Sequence, residues 1–324
     1  MKAPVLSIVL LAAAVSSAVA AAEPPHVAFN FVLSDFSGPV RVGEARVVLD
    51  GAHGEVYVAE ARDVHVFNEF GMEVYRFHTD SGLGPIRDLA VLPDGSLLVL
   101  LYDYADPETP VALLCRLDFR GRRLDAQALS GSPEDVTAFH PNRLFLHGDR
   151  VLLLSTTRLL AAWAGLDGRV QEVLDLGKTL GIPEDARADC EISGAGMDGN
   201  GNLALTIAVL FRAFLVSPDG KMLASWGKSG SAVGAFGNIG GIGVDAEGRV
   251  YVVDRIRKVV MIFDADATHT FVREFGGDPR ELGMLVMPSD VVIDGKGRAY
   301  VTQVGSGGVS VFQIQGTPNQ KSPQ

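Results

Sequence analysis

The chain has 324 residues with 39 acidic and 28 basic side chains, a formal charge of −11. It lacks the basic footprint that a phosphate backbone demands, which excludes nucleic acid as an expected partner. Apolar residues make up 47 % and glycine supplies 37 positions, and beyond the amino-terminal segment no apolar run is long and charge-free enough to span a membrane.

In chain order, residues 1–22 read as a signal peptide. Lys2 is the basic start, Val5 to Val15 is a short apolar stretch, and Ala18-Val-Ala20 is an A-x-A cleavage signature. Cleavage is expected after Ala20 or Ala22, with release into the periplasm or outside the cell. No cysteine precedes Cys115, which speaks against a lipid-modified amino terminus. His26-Val-Ala-Phe-Asn-Phe-Val-Leu33 comes next and reads as a strand.

A turn followed by a β-branched and apolar run then recurs. It reads His53-Gly-Glu-Val-Tyr-Val58, Asp94-Gly-Ser-Leu-Leu-Val99, Gly148-Asp-Arg-Val-Leu-Leu153, Asn200-Gly-Asn-Leu-Ala-Leu205, Glu247-Gly-Arg-Val-Tyr-Val252 and Lys296-Gly-Arg-Ala-Tyr-Val301. A three- or four-stranded unit at this spacing cannot bury its own two faces, so it needs neighbours on both sides. Six copies predict an all-β six-bladed β-propeller over residues 23–316. Blade six shows strands over Val291–Ile293, Ala299–Thr302 and Val309–Ile314 and lacks a fourth. The strand at 26–33 is therefore expected to complete it and close the ring. Residues 317–324, with two prolines and no apolar anchor, are expected to form a loose tail.

The best-formed unit is Trp226-Gly227, Gly234-Ala-Phe236, Gly243-Val-Asp245, Gly248-Arg-Val-Tyr-Val-Val-Asp254 and Val260-Met-Ile-Phe-Asp264. It resembles an NHL repeat, as do Phe275-Gly276 with Pro288-Ser-Asp-Val-Val-Ile-Asp294 and the stretch Gly51 to Phe67. The resemblance implies a secreted, bacterial-type NHL-repeat propeller. The chain departs from that pattern at Val259, where many such repeats carry Arg, and at Thr302-Gln303, where they carry an acid.

In a propeller, loops joining the second and third strands share one face with the blade-to-blade connections around the channel mouth. Those loops present Glu60, Arg62, Tyr102, Asp103, Tyr104, Asp106, Glu108, Arg158, Asp254, Arg255 and Gln303, the candidate binding-face residues. Turn chemistry alone also accounts for acids at Glu60 and Asp254, where they end the second strand and cap the next turn. The stretch Tyr102 to Pro110 is longer than a hairpin needs and is expected to project from this face. Residues 177–189 form a second long connector, with a short helical turn expected at Ile182-Pro183.

Cys115 and Cys190 fall in blade two and on the approach to blade four, which favours two buried thiols over a bridge. Asp198-Gly-Asn-Gly-Asn202 offers alternating oxygen ligands but lacks a closing glutamate, and reads as a turn, with calcium the lesser reading. The seven histidines do not recur at one position from blade to blade, so no zinc-binding ring is indicated. No catalytic motif appears. The expectation is a monomeric ring that binds a protein or extracellular polymer through its loop face. The alternative is a lactonase-like propeller hydrolase or lyase with a calcium or zinc ion in the channel.

Overall fold

A computed structural model describes residues 24–78, 84–106, 108–131, 139–305 and 307–315. The expected leader and tail lie outside the described residues. The chain is a six-bladed β-propeller, each blade one antiparallel four-stranded sheet.

Strand β1 is His26–Val32, and β2 (Ser34–Asp35) with β3 (Gly38–Pro39) forms a small hairpin. Blade one holds β4 (Arg46–Asp50), β5 (Glu55–Glu60), β6 (Asp63–Phe67) and β7 (Glu73–His78). Blade two holds β8 (Asp88–Val91), β9 (Leu97–Asp103), β10 (Val111–Leu117) and β11 (Arg123–Ala128). Blade three holds β12 (Arg143–His147), β13 (Arg150–Ser155), β14 (Leu160–Gly165) and β15 (Val170–Asp175). Blade four holds β16 (Gly194–Met197), β17 (Leu203–Ile207), β18 (Arg212–Val216) and β19 (Met222–Trp226). Blade five holds β20 (Ile239–Val244), β21 (Val250–Asp254), β22 (Val259–Phe263) and β23 (Phe271–Phe275). Blade six holds β24 (Pro288–Ile293), β25 (Arg298–Gln303) and β26 (Gly308–Gln315), and its fourth strand is β1, in the order β1-β26-β25-β24.

Each blade turns between its first two strands on a glycine with positive φ, at Gly54, Gly95, Gly148, Gly201, Gly248 and Gly297, a conformation that costs glycine no Cβ clash. In blade three this is Gly148, one residue ahead of Asp149, where aligning the six repeats puts the turn. An aspartate often clamps the same turn. In blade five Asp245 Oδ1 accepts from Glu247 N (3.1 Å) and Arg249 N (2.8 Å), and Asp294 does the same in blade six. Asp198 belongs to this series: its Oδ1 accepts from Asn200 N and Asn202 N, both at 2.8 Å. Residues 198–202 are thus a blade turn, with Asp198 Oδ1 bonded to its backbone and Oδ2 accepting from the Asn202 side-chain amide at 2.8 Å.

The alternating apolar positions of neighbouring sheets meet in six separate cores. Leu89, Leu97, Val99 and Cys115 fill the seam between blades one and two. Leu152, Trp163, Leu205 and Phe214 fill that between blades three and four. Tyr300, Val311, Val58 and Phe67 join blade six to blade one. Burying several such side chains at each seam, at about 1.5–3 kcal/mol apiece, is what holds the ring. Closure adds an antiparallel ladder from His26↔Gln315 to Val32↔Ser310, and Phe29 meets Phe312 edge to face at 5.8 Å.

The connector after blade three is folded. Asp175 caps a short helix, α1 (Leu176–Thr179), by accepting from Lys178 N, and a 3₁₀ turn spans Glu184–Asp189 after Ile182-Pro183. Leu176, Leu180, Ile182 and Cys190 plug the seam of blades three and four. Cys115 lies in a different seam, and no bridge joins the two cysteines.

Candidate functional site

The first strand of every blade lines the central channel and starts at the same end, where second-to-third-strand loops also gather. A concavity of about 620 Å³ opens there, lined by Glu44, Arg46, Asn142, Arg143, Thr156, Glu191, Ser193, Arg255, Met287, Ser289 and Asp290 among others. Below it the channel continues as a space of about 420 Å³, walled by β4, β8, β12, β16, β20 and β24 and reached by Asp88. Both volumes suit a small ligand.

Charged groups of both signs surround this opening. Blade one supplies Arg46 and Glu44, blade three Arg143, blade four Glu191, blade five Arg255 and blade six Asp290, and blade two adds Asp88 to the channel below. Arg46 Nη1 donates to Asp290 Oδ2 at 2.7 Å across the seam of blades one and six. Asp88 is 5 % exposed. Its Oδ1 accepts from Leu89 N (2.9 Å) and its Oδ2 from Leu144 N (2.8 Å), which ties blade two to blade three. Burial pushes the Asp88 carboxyl up to about 6 against the pull of Arg46 and these two N–H groups, and burial raises Asp290 as well.

The loop residues read from sequence divide into two groups. Glu60, Asp254 and Gln303 clamp the incoming connection of their blade. Glu60 Oε1 accepts from Gly43 N at 2.8 Å, Asp254 Oδ2 from Gly237 N at 2.6 Å, and Gln303 Oε1 from Val286 N at 2.7 Å. Asp254 and Gln303 are buried and spent inside the fold. Tyr102 is buried too, donating to Pro141 O at 2.9 Å. Asp103 at the end of β9 is exposed, as are Tyr104, Asp106 and Glu108 after it and Arg158 in blade three. Asp106 is engaged there by Glu108 N and Thr109 Oγ1, and Arg87 donates to the Tyr104 hydroxyl at 2.9 Å. Arg62 is half-buried beside Glu60.

Among the described residues, Arg255 is the one of these candidates that lines the mouth. The other charged groups, Arg46, Arg143, Glu191 and Asp290 at the mouth and Asp88 in the channel below, come from the first strands and the residues just before them. Sequence reasoning missed these because it looked to the loops.

The fit to a channel cation is poor. Among the described residues no three His, Cys, Asp or Glu side chains converge. The three channel aspartates are already held, Asp88 by two N–H groups, Asp198 by the N–H groups of its own turn and the Asn202 amide and Asp290 by Arg46, and no histidine lines the opening.

No family model matches the chain, and no curated protein matches it in sequence. Among solved structures, a streptogramin B lyase superposes with a TM-score of 0.58 at 9 % identity, over 90 % of this chain and 98 % of that one. Virginiamycin B lyase from Staphylococcus aureus, as a catalytically inactive variant with quinupristin, superposes at 0.54 and 11 % identity, over 86 % of this chain and 83 % of that one. At such identities the likeness is one of fold, and what the chain shares with these lyases is the β-propeller.

Proposed function

We propose that the chain is an exported, NHL-like binding propeller that takes its ligand at the channel mouth. The observation that carries this reading is the concavity of about 620 Å³ into which several blades each place a charged or hydrogen-bonding group. Such convergence on a rigid ring is how a propeller gains a site without any local motif. The partner can be a small molecule or the end of a larger one that reaches into the mouth. In the stretch Tyr102 to Pro110, Tyr104, Asp106 and Glu108 supply an exposed tyrosine and acids for the rim of a larger partner.

The test is to fill the mouth. Glu44→Trp and Glu191→Trp replace exposed side chains at its edge and should leave the melting midpoint in place. Native mass spectrometry of protein incubated with culture extract should show a retained ligand on wild type and its loss in both variants. Equal retention would place the site elsewhere.

One observation favours a second reading, a lyase or hydrolase. Burial lifts the Asp88 carboxyl to about 6, near the range where a carboxyl serves as general acid or base. Against it, both Asp88 oxygens are occupied by backbone N–H groups. Turnover of the retained ligand that vanishes in Asp88→Asn, with binding preserved, would favour the enzyme.

A further inference from the structure

Resting on the mouth as the ligand site, we infer that its ligand is a zwitterion carrying a free carboxylate and a free ammonium group, as an amino acid or a short peptide with open ends does. On blades six and one the opposite charges satisfy each other, since Arg46 and Asp290 are bonded at 2.7 Å. On blades three to five no opposite charges are bonded to one another, although Arg255 lies near enough to Asp290 to favour its ionised form. Among the described residues, Arg143, Glu191 and Arg255 make no ion pair. Arg143 donates only to the carbonyl of its neighbour Asn142, at 3.2 Å. Glu191 Oε1 accepts only the Thr156 hydroxyl, at 3.3 Å.

Arg255 has a seat made for it. A Cβ at Gly240 would come within 2.7 Å of its Nε, so the bare strand lets this side chain lie over the inner wall of blade five. One arc of the mouth thus presents cation, anion and cation with donors and acceptors to spare. A guanidinium offers a planar fork that matches the two oxygens of a carboxylate, and a glutamate offers acceptors for an ammonium. A simple anion would meet Glu191 and Glu44, and it would be repelled at long range by a chain of charge −11. A simple cation would meet Arg143 and Arg255. A zwitterion answers both signs.

The probes are trialanine with free ends, N-acetylated trialanine, C-amidated trialanine and alanine. Each is titrated into the ¹⁵N-labelled chain while the arginine Nε–H signals are followed, assigned from Arg143→Gln and Arg255→Gln. Free trialanine or alanine should move both signals, and the stronger of the two tells peptide from amino acid. Blocking either end should weaken binding about tenfold or more, the scale of a lost charge-assisted contact. Arg143→Gln and Arg255→Gln should lose the penalty for amidation, and Glu191→Gln the penalty for acetylation.

Equal binding of a blocked peptide, or no movement with any probe, overturns the zwitterion. If a captured ligand of one charge or none moves these signals, the mouth remains the site and only the class is wrong. If a captured ligand moves neither signal, the mouth itself is wrong.

Discussion

Along the inner wall of the ring, the first strands of blades four and five carry glycines where those of blades one, two and three carry side chains. Gly194 and Gly196 in β16, and Gly241 and Gly243 in β20, leave no room for a Cβ. One at Gly196 would lie 2.6 Å from Ile242 O, and one at Gly243 would lie 2.7 Å from Val291 O. Gly194 faces the backbone of Gly240 and Gly241, and Gly241 faces Asp290. Blades four, five and six therefore meet backbone to backbone. Blades two and three are joined instead by a carboxylate, through Asp88 and Leu144 N. The glycines themselves put no side chain at the rim, so on blade five Arg255 arrives from a loop and lies over the bare strand. The other side places Arg46 and Arg143 there directly, and Asp88 just below. A repeat that looks sixfold in sequence thus closes its wall by two kinds of contact, and the charge pattern of the mouth depends on both.

The largest expected effect tests whether either half stands without the seam at blade six. Deleting residues 23–34 removes β1, its ladder to β26 and the Phe29 contact with Phe312. It should lower stability by roughly several kcal/mol through lost pairing and burial. A thermal midpoint equal to wild type would show that the ring closes by other means.

Next is the glycine half. Gly241→Ala places a methyl against Asp290 and should cost about 2–4 kcal/mol by overpacking, which urea unfolding would report. On the other half, Val48→Ala removes atoms from a half-buried site in β4 and should cost about 1 kcal/mol. If Gly241→Ala proves the milder of the two, the contrast between the halves fails.

The carboxylate contact gives a pH signature. Burial lifts Asp88 from the ordinary aspartate value of 3.8 to about 6 in the folded chain, so the folded state holds that proton more tightly than the unfolded one. Its stabilising contribution is complete below about pH 4 and lost as pH rises through 6, up to about 3 kcal/mol over that window. Asp88→Asn should abolish this fall. Subtracting variant from wild-type stability cancels the exposed carboxylates whose pKa is lowered, such as Asp94 and Asp266. A difference that stays flat from pH 4 to 6 would refute the buried acid.

Sequence was most informative where one residue's chemistry is local. The turn glycines, the aliphatic second strands and the missing fourth strand of blade six all announce themselves within a few residues, and the ring follows from them. Even the departure at Gln303 is explained by a local role. Its amide oxygen accepts from Val286 N as the carboxylates of Glu60 and Asp254 accept in their blades, so an acid is not required there. The mouth was illegible because each member stands on a different blade and gains meaning only from its neighbours across the ring. A trace was present: Asp88 and Asp290 each stand seven residues ahead of their turn glycines, Gly95 and Gly297. Aligning blades on those glycines would have drawn attention to the start of the first strand.

The seam of blade six also governs how the ring comes to exist. Each blade is built from hairpins between neighbouring strands, whereas His26 pairs with Gln315 from almost the opposite end of the chain. Local hairpins form quickly, while a pairing across the whole chain must first overcome the entropy of closing a very long loop. The kinetics should therefore separate into rapid assembly of blades and a late closing step. Until that step, β26 carries an open edge of unpaired N–H and C=O groups, available to any other strand it meets. A second copy of the chain offers the same β1, so at high protein concentration during refolding the competing product is a strand-exchanged dimer.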